Sequence, residues 1–536
     1  MNKPLFLRHN YLYVFGLIVL VTGLPLSLFL ISLSQFILAG SFFLEGNFIE
    51  KFKRFFRNKA AMLIAGIWLM HVVGLLWTTD LAQGWNDIRI KLPILVLTLI
   101  IAGNEPLTKK QFHLVLSCFI AAVFIGTMAS MAVLTGIIHR ELKDIRDVFI
   151  FKISHIRFGL FTCIAIYTIL YFIFIEKPKN KLPLQLFLAG VALWLMTFLF
   201  IVESLTGVLI SSTIMLILAI IYFSKRLKTK TRTAFIIAMS ALPIIFLFFL
   251  IKAYMENYSP RLVFIDQYAK TEQGNNYTFN LDNPEMENGY PAYVYMCEEE
   301  LRRSWNRRSI INFDSTDIKM QPIKFTLMRF LASKGLRKDS VAMTHLTDEE
   351  IHSIEKGIPN INYQSPSIKV RLMQVIWEMD QSIRGGDPNG HSIMQRLESW
   401  KASLEVIPEN ILLGVGTGDL PAAVHDQYSL MNSKLNSDHY LRSHNQYLAI
   451  TVAFGITGLA YFLFALSYPI IFLYERKNFI YLLFFLTLIL SMLTEDTLET
   501  QPGATFFAFF NALFLFAKPD GANNKKFRPD CYRDHE

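Results

Sequence analysis

Charged side chains are scarce in this chain of 536 residues. Asp, Glu, Lys and Arg together make up 18% of it, whereas about 25% is usual in soluble globular domains. Hydrophobic residues make up 53%, aromatic residues 14%, and the mean hydropathy is +0.36. This composition excludes an intrinsically disordered chain and argues against an ordinary water-soluble globule.

Cysteine is also scarce, with four residues in the whole chain. Cys118 and Cys163 lie in apolar runs, Cys297 lies in a long polar segment, and Cys531 lies in the C-terminal tail. We place these residues on different sides of a membrane, so we expect no structural disulfide.

Long apolar runs separated by short charged loops make up most of the chain. A bilayer core about 30 Å thick needs a helix of roughly 20 mostly apolar residues to cross it. The first run, from Tyr11 to Leu44, is too long for a cleavable signal peptide, and we interpret it as two spans. By this measure we expect about twelve spans, at 11–22, 24–44, 60–77, 90–103, 112–137, 157–175, 183–202, 205–223, 233–253, 446–473, 479–494 and 502–517.

The distribution of Lys and Arg predicts the orientation, because short cytoplasmic loops are enriched in these residues. Most of them fall in one set of loops, at 51–59, 109–110, 177–181, 225–232 and 476–477, and in the tail. We therefore place these loops and both termini in the cytoplasm. The formal charge of +9 resides mainly there, so it does not indicate a nucleic acid partner.

These observations predict an all-α polytopic integral membrane protein of the bacterial inner membrane. We expect about twelve transmembrane helices and one large, mainly helical periplasmic loop domain. The chain then divides into an N-terminal transmembrane bundle at 1–253 with about nine spans, the periplasmic domain at 254–443, three C-terminal transmembrane helices at 444–517, and a cytoplasmic tail at 518–536.

Local signals predict helices inside the periplasmic region. Pro322–Gly335 carries an apolar face, and Thr347–Glu350 forms a capping box before another short helix. Pro366 can open a third helix. A fourth runs from about Ser392 to Leu404, with an apolar stripe along it.

Ionisable side chains are nearly absent from the predicted spans. A proton-coupled or ion-coupled transporter would need such a group deep in the bundle. We take this scarcity as evidence against transport. The polar residues gather at the predicted outer surface, and we expect the chemistry there.

Arginines at the outer surface are the first candidates for that chemistry. Arg157 opens a predicted span, Arg396 lies beside the apolar stripe of a helix that also carries Trp400, and Arg442 lies near the lipid surface. A guanidinium group grips phosphate oxygens with paired N–H donors and stays charged. Each arginine also has a structural explanation, as a residue that reaches lipid headgroups or as a solvated charge.

A glycine-rich loop and a histidine complete the candidates. Gly414, Gly416 and Gly418 can let backbone N–H groups approach a ligand, although such glycines more often form an ordinary turn. His444 and Asn445 begin a predicted span, where His444 can act as a proton acceptor or a helix cap. No cluster of Cys or carboxylate residues accompanies this histidine in the sequence, so we expect no metal site.

The order of these motifs resembles that of the O-antigen ligase superfamily. The chain has an Arg at an outer span start, then Arg-x3-Trp and Gly-x-Gly-x-Gly in a large outer loop, then His-Asn-x9-Gly-x-x-Gly, which is complete in Ser443–Gly458. The stretch Glu495–Gly503 resembles the polar outer turn between the last two spans of this family. The outer loop is longer than we expect of the family, with extra material around 260–385.

This resemblance implies that a glycan moves from an undecaprenyl-diphosphate carrier to an acceptor hydroxyl on the periplasmic face. Because the sequence shows no carboxylate cluster for a metal, we expect no metal and no cofactor, and we assign Arg157 and Arg396 to stabilise the leaving diphosphate. His444 would accept the acceptor proton or only orient a substrate, while Asn445, Arg442 and the three loop glycines would bind substrate.

Several functions are compatible with these motifs. Lipid A–core is the acceptor that we prefer, which makes the chain an O-antigen ligase. A growing glycan would make it an O-antigen polymerase, and a protein acceptor would make it a bacterial protein O-oligosaccharyltransferase. A lipid-linked glycan transporter and a non-catalytic membrane scaffold are alternatives from other classes.

Overall fold

The fold is given by a computed structural model. The structure describes residues 11–140, 142, 145–151, 153–176, 182–224, 226–258, 261, 265–283, 285–364 and 367–519. All but the first two residues of the predicted tail at 518–536 lie outside the described residues, and so does Cys531.

The N-terminal part of the chain is a series of long, mostly apolar helices. In the described residues of this part, the α-helices are α1 (Tyr11–Leu26), α2 (Leu28–Glu45), α3 (Phe48–Arg57), α4 (Lys59–Val73), α5 (Leu81–Gly103), α6 (Lys109–Leu134), α7 (His155–Tyr171), α8 (Leu182–Ile201), α9 (Leu205–Ser224) and α10 (Thr229–Tyr258). A π-helical turn, Phe172–Glu176, extends α7.

The middle of the chain forms short helices and one small β-hairpin. Strands β1 (Met286–Glu287) and β2 (Tyr290–Pro291) pair antiparallel, with Glu287 opposite Tyr290. The helices here are α11 (Glu298–Trp305), α12 (Ile323–Ser333), α13 (Ser340–Thr344), α14 (Asp348–Glu355), α15 (Ile368–Ile383), α16 (Ser392–Val406) and α17 (Leu420–Leu430).

Three helices close the chain and surround the candidate site. They are α18 (Gln446–Ile471), α19 (Phe479–Ser491) and α20 (Gln501–Leu515). α18 is interrupted at Gly455, whose φ of 63° and ψ of −165° are not helical. We call residues 492–500, between α19 and α20, the closing turn.

The predicted helical membrane architecture is confirmed at a coarse level. A helix lies at each of the twelve predicted spans. Among the described residues, eight helices are long and apolar enough to cross a membrane, while α1 and α19 are apolar but shorter. The total of twelve spans and the placement of 254–443 outside the membrane remain predictions.

Two boundaries differ from the predictions for physical reasons. α5 begins at Leu81, nine residues before the predicted span at 90–103, because the Asp80 side chain caps it by accepting a hydrogen bond from the Gln83 N–H. α1 continues through Pro25, and the first hairpin turns at Ser27, whose hydroxyl accepts from the Leu30 N–H.

Helix α3 lies where we predicted only a basic loop. Phe52 and Phe55 lie on a face opposite Lys53 and Arg54, so the helix is strongly amphipathic. Phe55 is buried in a small apolar cluster with Ala61, and Phe52 is exposed. The Lys and Arg content of this segment indicated a basic loop, although the spacing of its Phe residues also fits a helix.

The helices predicted in the middle region are confirmed. α12 and α14 form with the expected apolar faces, and Thr347 and Glu350 make the predicted capping box. α15 has Ser367 as its N-cap, and Pro366, which we expected to open the helix, lies outside the described residues. Helices α11, α12, α13 and α14 enclose a separate apolar core that includes Trp305 and Phe330.

Candidate active site

The closing turn places three carboxyl groups beside the N-terminus of α18. Glu495, Asp496 and Glu499 are in the nine residues that join α19 to α20, and Asp496 and Glu499 are buried. Apolar helices on both sides hold the turn, and its polar groups meet polar groups of α16 and of residues 442–446. The closing turn thus forms one side of the candidate site.

Arg396 projects from α16 to the first of these carboxyl groups. Its Nη2 lies 2.8 Å from Oε1 of Glu495, and both side chains are mostly buried. The buried N–H of Trp400, four residues further along α16, has no hydrogen-bond partner in the described part of the chain. The Arg-x3-Trp motif therefore contributes one paired cation and one unpaired donor.

Arg442 contacts the same turn at two points. Its Nη1 donates to the Glu499 carbonyl oxygen at 3.0 Å, and its Nε lies 3.5 Å from Oδ2 of Asp496. A cation that binds both a carboxylate and a backbone carbonyl fixes the shape of the turn. Arg442 thus contacts the closing turn, whereas we also considered that it binds lipid headgroups.

His444 is held in an unusual backbone conformation. Its φ of 44° is left-handed, which is uncommon for a residue other than glycine and is often found at functional sites. Its Nδ1 is buried, lies 3.9 Å from Oδ1 of Asp496, and makes no hydrogen bond to the residues that the structure describes. This ring nitrogen therefore has unused hydrogen-bonding capacity, with the Asp496 carboxylate beside it.

Asn445 has a structural role that we did not predict. Its side-chain oxygen accepts hydrogen bonds from the N–H groups of Tyr447 and Leu448 and so caps α18. This oxygen is therefore already used by the helix cap, and the role of Asn445 in substrate binding stays a prediction. The cap does fix the direction in which His444, its neighbour, enters the site.

Arg157 lies at the N-terminal end of α7 and faces the same group of charges. It is within electrostatic range of Glu495, Asp496 and Arg442. No described residue gives Arg157 an ion pair within 4.0 Å or a hydrogen bond. The structure therefore brings the three predicted catalytic residues, Arg157, Arg396 and His444, around the closing turn.

Burial shifts the pKa values of two of the acids and of the histidine in opposite directions. It raises the pKa of Glu495 to about 7 against the opposing effect of Arg396, and that of Asp496 to about 6 against Arg442. It lowers the pKa of His444 to about 4, with Arg396 and Arg442 acting in the same direction. The imidazole is therefore neutral at pH 7 and can accept a proton.

The glycine-rich loop packs against α18 and not against open space. The N–H groups of Val415 and Gly416 donate to the carbonyls of Val452 and Ala453, and that of Gly414 donates to Asn410. The remaining N–H groups donate to Gly74 and Thr78 from residues 417 and 418. Protein acceptors thus occupy the backbone donors of Gly414, Gly416 and Gly418, and a role of these glycines in substrate binding stays a prediction.

Gly455, in the His-Asn-x9-Gly-x-x-Gly motif, allows the glycine-rich loop to pack against α18. A Cβ atom at Gly455 would lie 2.3 Å from the backbone carbon of Leu412, so only glycine fits. Its break in α18 exposes the Ile456 N–H, which donates to the Ile411 carbonyl at 2.8 Å. The glycine loop is thus docked into a gap in the helix that carries His444 at its start.

Acidic residues next to His444 are the main feature that we missed. We expected no carboxylate cluster there, but one atom each of His444, Glu495 and Asp496 lies within 4.8 Å of the others. Such a donor set can hold a cation. Arg396 and Arg442 already neutralise the two carboxylates, so a metal ion would have to compete with them. In the sequence, three acids in one short turn between apolar segments could have indicated this cluster.

A buried ion pair inside the bundle corrects a second expectation. Lys91 on α5 is 1% exposed and contacts Glu499 and Asp87. Our statement that the spans are nearly free of ionisable groups therefore fails at α5. Lys91 lies within the span predicted at 90–103, so the sequence contained the signal.

The fold and site define a multi-pass helical membrane protein with arginines, a histidine and acids around one turn. Residues 363–463 match the family model described as O-antigen ligase. The matched segment contains Arg396, the glycine loop and the His-Asn-x9-Gly-x-x-Gly motif, and the match confirms the resemblance to the O-antigen ligase superfamily. It indicates glycosyl transfer of the O-antigen ligase or polymerase type. A comparison with curated proteins finds no match to the chain.

Proposed function

We propose that the protein transfers a glycan from an undecaprenyl-diphosphate carrier to an acceptor hydroxyl at the periplasmic face of the inner membrane. The preferred acceptor is lipid A–core, which makes the reaction O-antigen ligation. The observation that carries the proposal is the arrangement of Arg157, Arg396 and His444 around the closing turn. Arg396 and His444 lie inside the segment that matches the O-antigen ligase family.

The orientation of the site follows from the basic loops. With those loops and both termini in the cytoplasm, twelve spans place residues 254–443 and the closing turn on the periplasmic side. The lipid diphosphate of a donor lies at the membrane interface, the level at which α7 begins and α18 is capped. The residues around 260–385, with their own apolar core, then contribute to the acceptor side of the cleft.

The leaving diphosphate is stabilised by guanidinium groups. As the bond between the anomeric carbon and the phosphate oxygen breaks, the electron pair goes to the diphosphate, and its charge must be neutralised. Arg157 is available for this, and Arg396 can exchange Glu495 for a phosphate oxygen. This exchange is favoured because protonation of Glu495, with its pKa near 7, weakens its hold on Arg396.

The acceptor hydroxyl loses its proton as its oxygen bonds to the anomeric carbon. His444 is neutral at pH 7 and has an unpaired Nδ1, so it receives this proton or orients the hydroxyl. The nearby Asp496 carboxylate stabilises the imidazolium that forms. A single displacement of this kind inverts the anomeric configuration.

The test is reconstitution of the purified protein in vesicles with an undecaprenyl-diphosphate glycan. Lipid A–core, a second carrier-linked glycan and a protein acceptor are offered in separate reactions, and the product and its anomeric configuration are determined. We expect an inverted glycosidic bond to lipid A–core. Transfer only to a carrier-linked glycan would assign a polymerase, and transfer only to protein an oligosaccharyltransferase. Absence of transfer to all three acceptors would refute the proposal.

A further inference from the structure

Three consecutive large apolar side chains are exposed beside the glycine-rich loop. Ile411, Leu412 and Leu413 are 52%, 63% and 57% exposed. We call them the 411–413 ridge. They follow the polar residues Glu409 and Asn410 in the region that the hydropathy pattern assigns to the periplasmic loop domain. A run of three such residues is costly in water, because each leaves most of its apolar surface hydrated.

The ridge is attached to a candidate membrane span. The carbonyl of Ile411 accepts from the Ile456 N–H at 2.8 Å, and the carbonyl of Leu412 accepts from the Thr457 hydroxyl at 2.7 Å. Both partners belong to α18, which is long and apolar enough to cross a membrane. Ile456 is itself mostly exposed, so the ridge continues an outward-facing apolar surface of α18.

The contact lies well inside the span. Gly455 is nine residues beyond Gln446, which corresponds to about 14 Å along the helix at about 1.5 Å per residue. The hydrocarbon core of a bilayer is about 30 Å thick. With Gln446 placed at the outer membrane interface, the ridge meets α18 at a depth where the neighbouring solvent is acyl chain.

Irregular backbone is tolerated at that depth only when its polar groups are satisfied by protein. The loop meets this condition through α18 and its own turn. Besides the two bonds above, the N–H groups of Gly414, Val415 and Gly416 donate to protein carbonyls at 2.9 Å. The helix break at Gly455 supplies donors and acceptors that an intact helix would have used internally.

We propose that the 411–413 ridge is a re-entrant segment that contacts the hydrocarbon of the leaflet beside the candidate site. Its partner is the acyl-chain region of the bilayer, and it forms a lipid-facing surface about 14 Å along α18 from the end of the helix that His444 precedes. The proposal requires that α18 spans the membrane and enters it near Gln446, and it is independent of the reaction that the site performs.

Spin labels test the depth of the ridge directly. Leu412→Cys is made in a full-length variant without the four native cysteines, labelled, and reconstituted in phosphatidylcholine and phosphatidylglycerol vesicles. Ile310→Cys, at a residue 95% exposed in the middle region, is the aqueous control, and Phe464→Cys on α18 is the lipid control. Collision rates with oxygen and with a water-soluble nickel chelate are then measured.

We expect the ratio of oxygen to nickel collisions at residue 412 to match that at residue 464 and to exceed that at residue 310 several-fold. A ratio like that at residue 310 would overturn the proposal. Protection of residue 412 from both reagents would also overturn it, because it would show that protein covers the ridge.

A second measurement keeps the native cysteines, in case their removal prevents folding. Leu412→Trp should gain fluorescence that lipids brominated along the acyl chain quench, whereas the added fluorescence of Ile310→Trp should be unaffected. Absence of extra quenching in Leu412→Trp would refute the bilayer contact.

Discussion

Lys91 Nζ lies 2.7 Å from Oε2 of Glu499, and this buried pair joins α5 to the closing turn. The other oxygen of Glu499 accepts from the Gln446 amide at 3.2 Å, and the Gln446 side-chain oxygen accepts from the Leu498 N–H at 2.6 Å. Gln446 is two residues from His444. The pair therefore fixes the distance between the histidine and the acids of the turn.

We predict that Lys91→Met strongly destabilises the protein. It leaves the Glu499 carboxylate buried with its main cation missing, and such a loss typically costs about 3–5 kcal/mol. The midpoint of thermal unfolding, measured in detergent, should fall. The double variant Lys91→Met with Glu499→Met should recover part of the loss, because it removes both charges.

An exposed ion pair provides the matched control for this experiment. Arg54 and Glu105 lie 2.9 Å apart near the basic loops, and both are exposed. Arg54→Gln should change stability by less than about 1 kcal/mol. Equal effects of Lys91→Met and Arg54→Gln would show that the buried pair does not hold the turn.

We predict that Arg396→Ala lowers the turnover rate of glycan transfer by about 10²–10³, the usual effect of losing one group that stabilises charge in a transition state. Arg396→Lys should retain part of the activity, because it keeps the charge but loses the paired donors. Transfer is measured with the carrier-linked donor, together with thermal unfolding to confirm folding.

Arg384→Ala is the control for Arg396→Ala. Arg384 also pairs with an acid, since it lies 2.9 Å from Asp380 in the middle region. Unlike Arg396, it has no ion pair with the closing turn in the described part of the chain. It should leave the turnover rate within about twofold of the wild type, a change of less than about 0.5 kcal/mol in the barrier. His444→Ala should abolish transfer as Arg396→Ala does. Near-normal transfer by both site variants would remove the proposed site.

Long apolar runs and short motifs allowed the helices and the positively charged part of the site to be predicted. Hydropathy located a helix at every predicted span, since burial in lipid requires long apolar segments. The order of the motifs predicted that Arg157, Arg396 and His444 share one site. These features depend on local sequence and on the order of elements along the chain.

The partners of those residues could not be predicted, because they depend on packing between distant segments. Glu495 is 99 residues from Arg396, and Glu499 is 408 residues from Lys91. The roles of the glycines were also hidden. Gly414 and Gly416 resemble a ligand loop in sequence, and only their contacts with α18 show that their N–H groups are occupied.

We predict that Glu495 makes the ligand-free protein less stable as the pH rises. Its pKa is about 7 in the folded protein and near 4.5 when unfolded, so the folded state binds this proton more tightly. The free energy of unfolding contributed by this group therefore falls between about pH 4.5 and pH 7. His444 and Asp496 titrate in overlapping ranges, so the difference between wild type and Glu495→Gln isolates this group.

The measurement is the thermal unfolding midpoint of both proteins from pH 4.5 to pH 8.5. Relative to wild type, Glu495→Gln should become more stable as the pH rises, with the change complete above pH 7. A difference that is constant across this range would contradict the raised pKa.

We predict that transfer continues in EDTA, although His444, Glu495 and Asp496 could together hold a cation. The reason is the pairing of the two carboxylates with Arg396 and Arg442, whose positive charges occupy the place of a metal ion. Purified protein should contain less than one equivalent of Mg²⁺, Mn²⁺ or Zn²⁺ by mass spectrometry, and its turnover rate should be the same before and after chelation. Loss of transfer in EDTA that Mg²⁺ or Mn²⁺ restores would instead assign the three side chains to a catalytic metal. The two arginines would then hold the acids in position as its ligands.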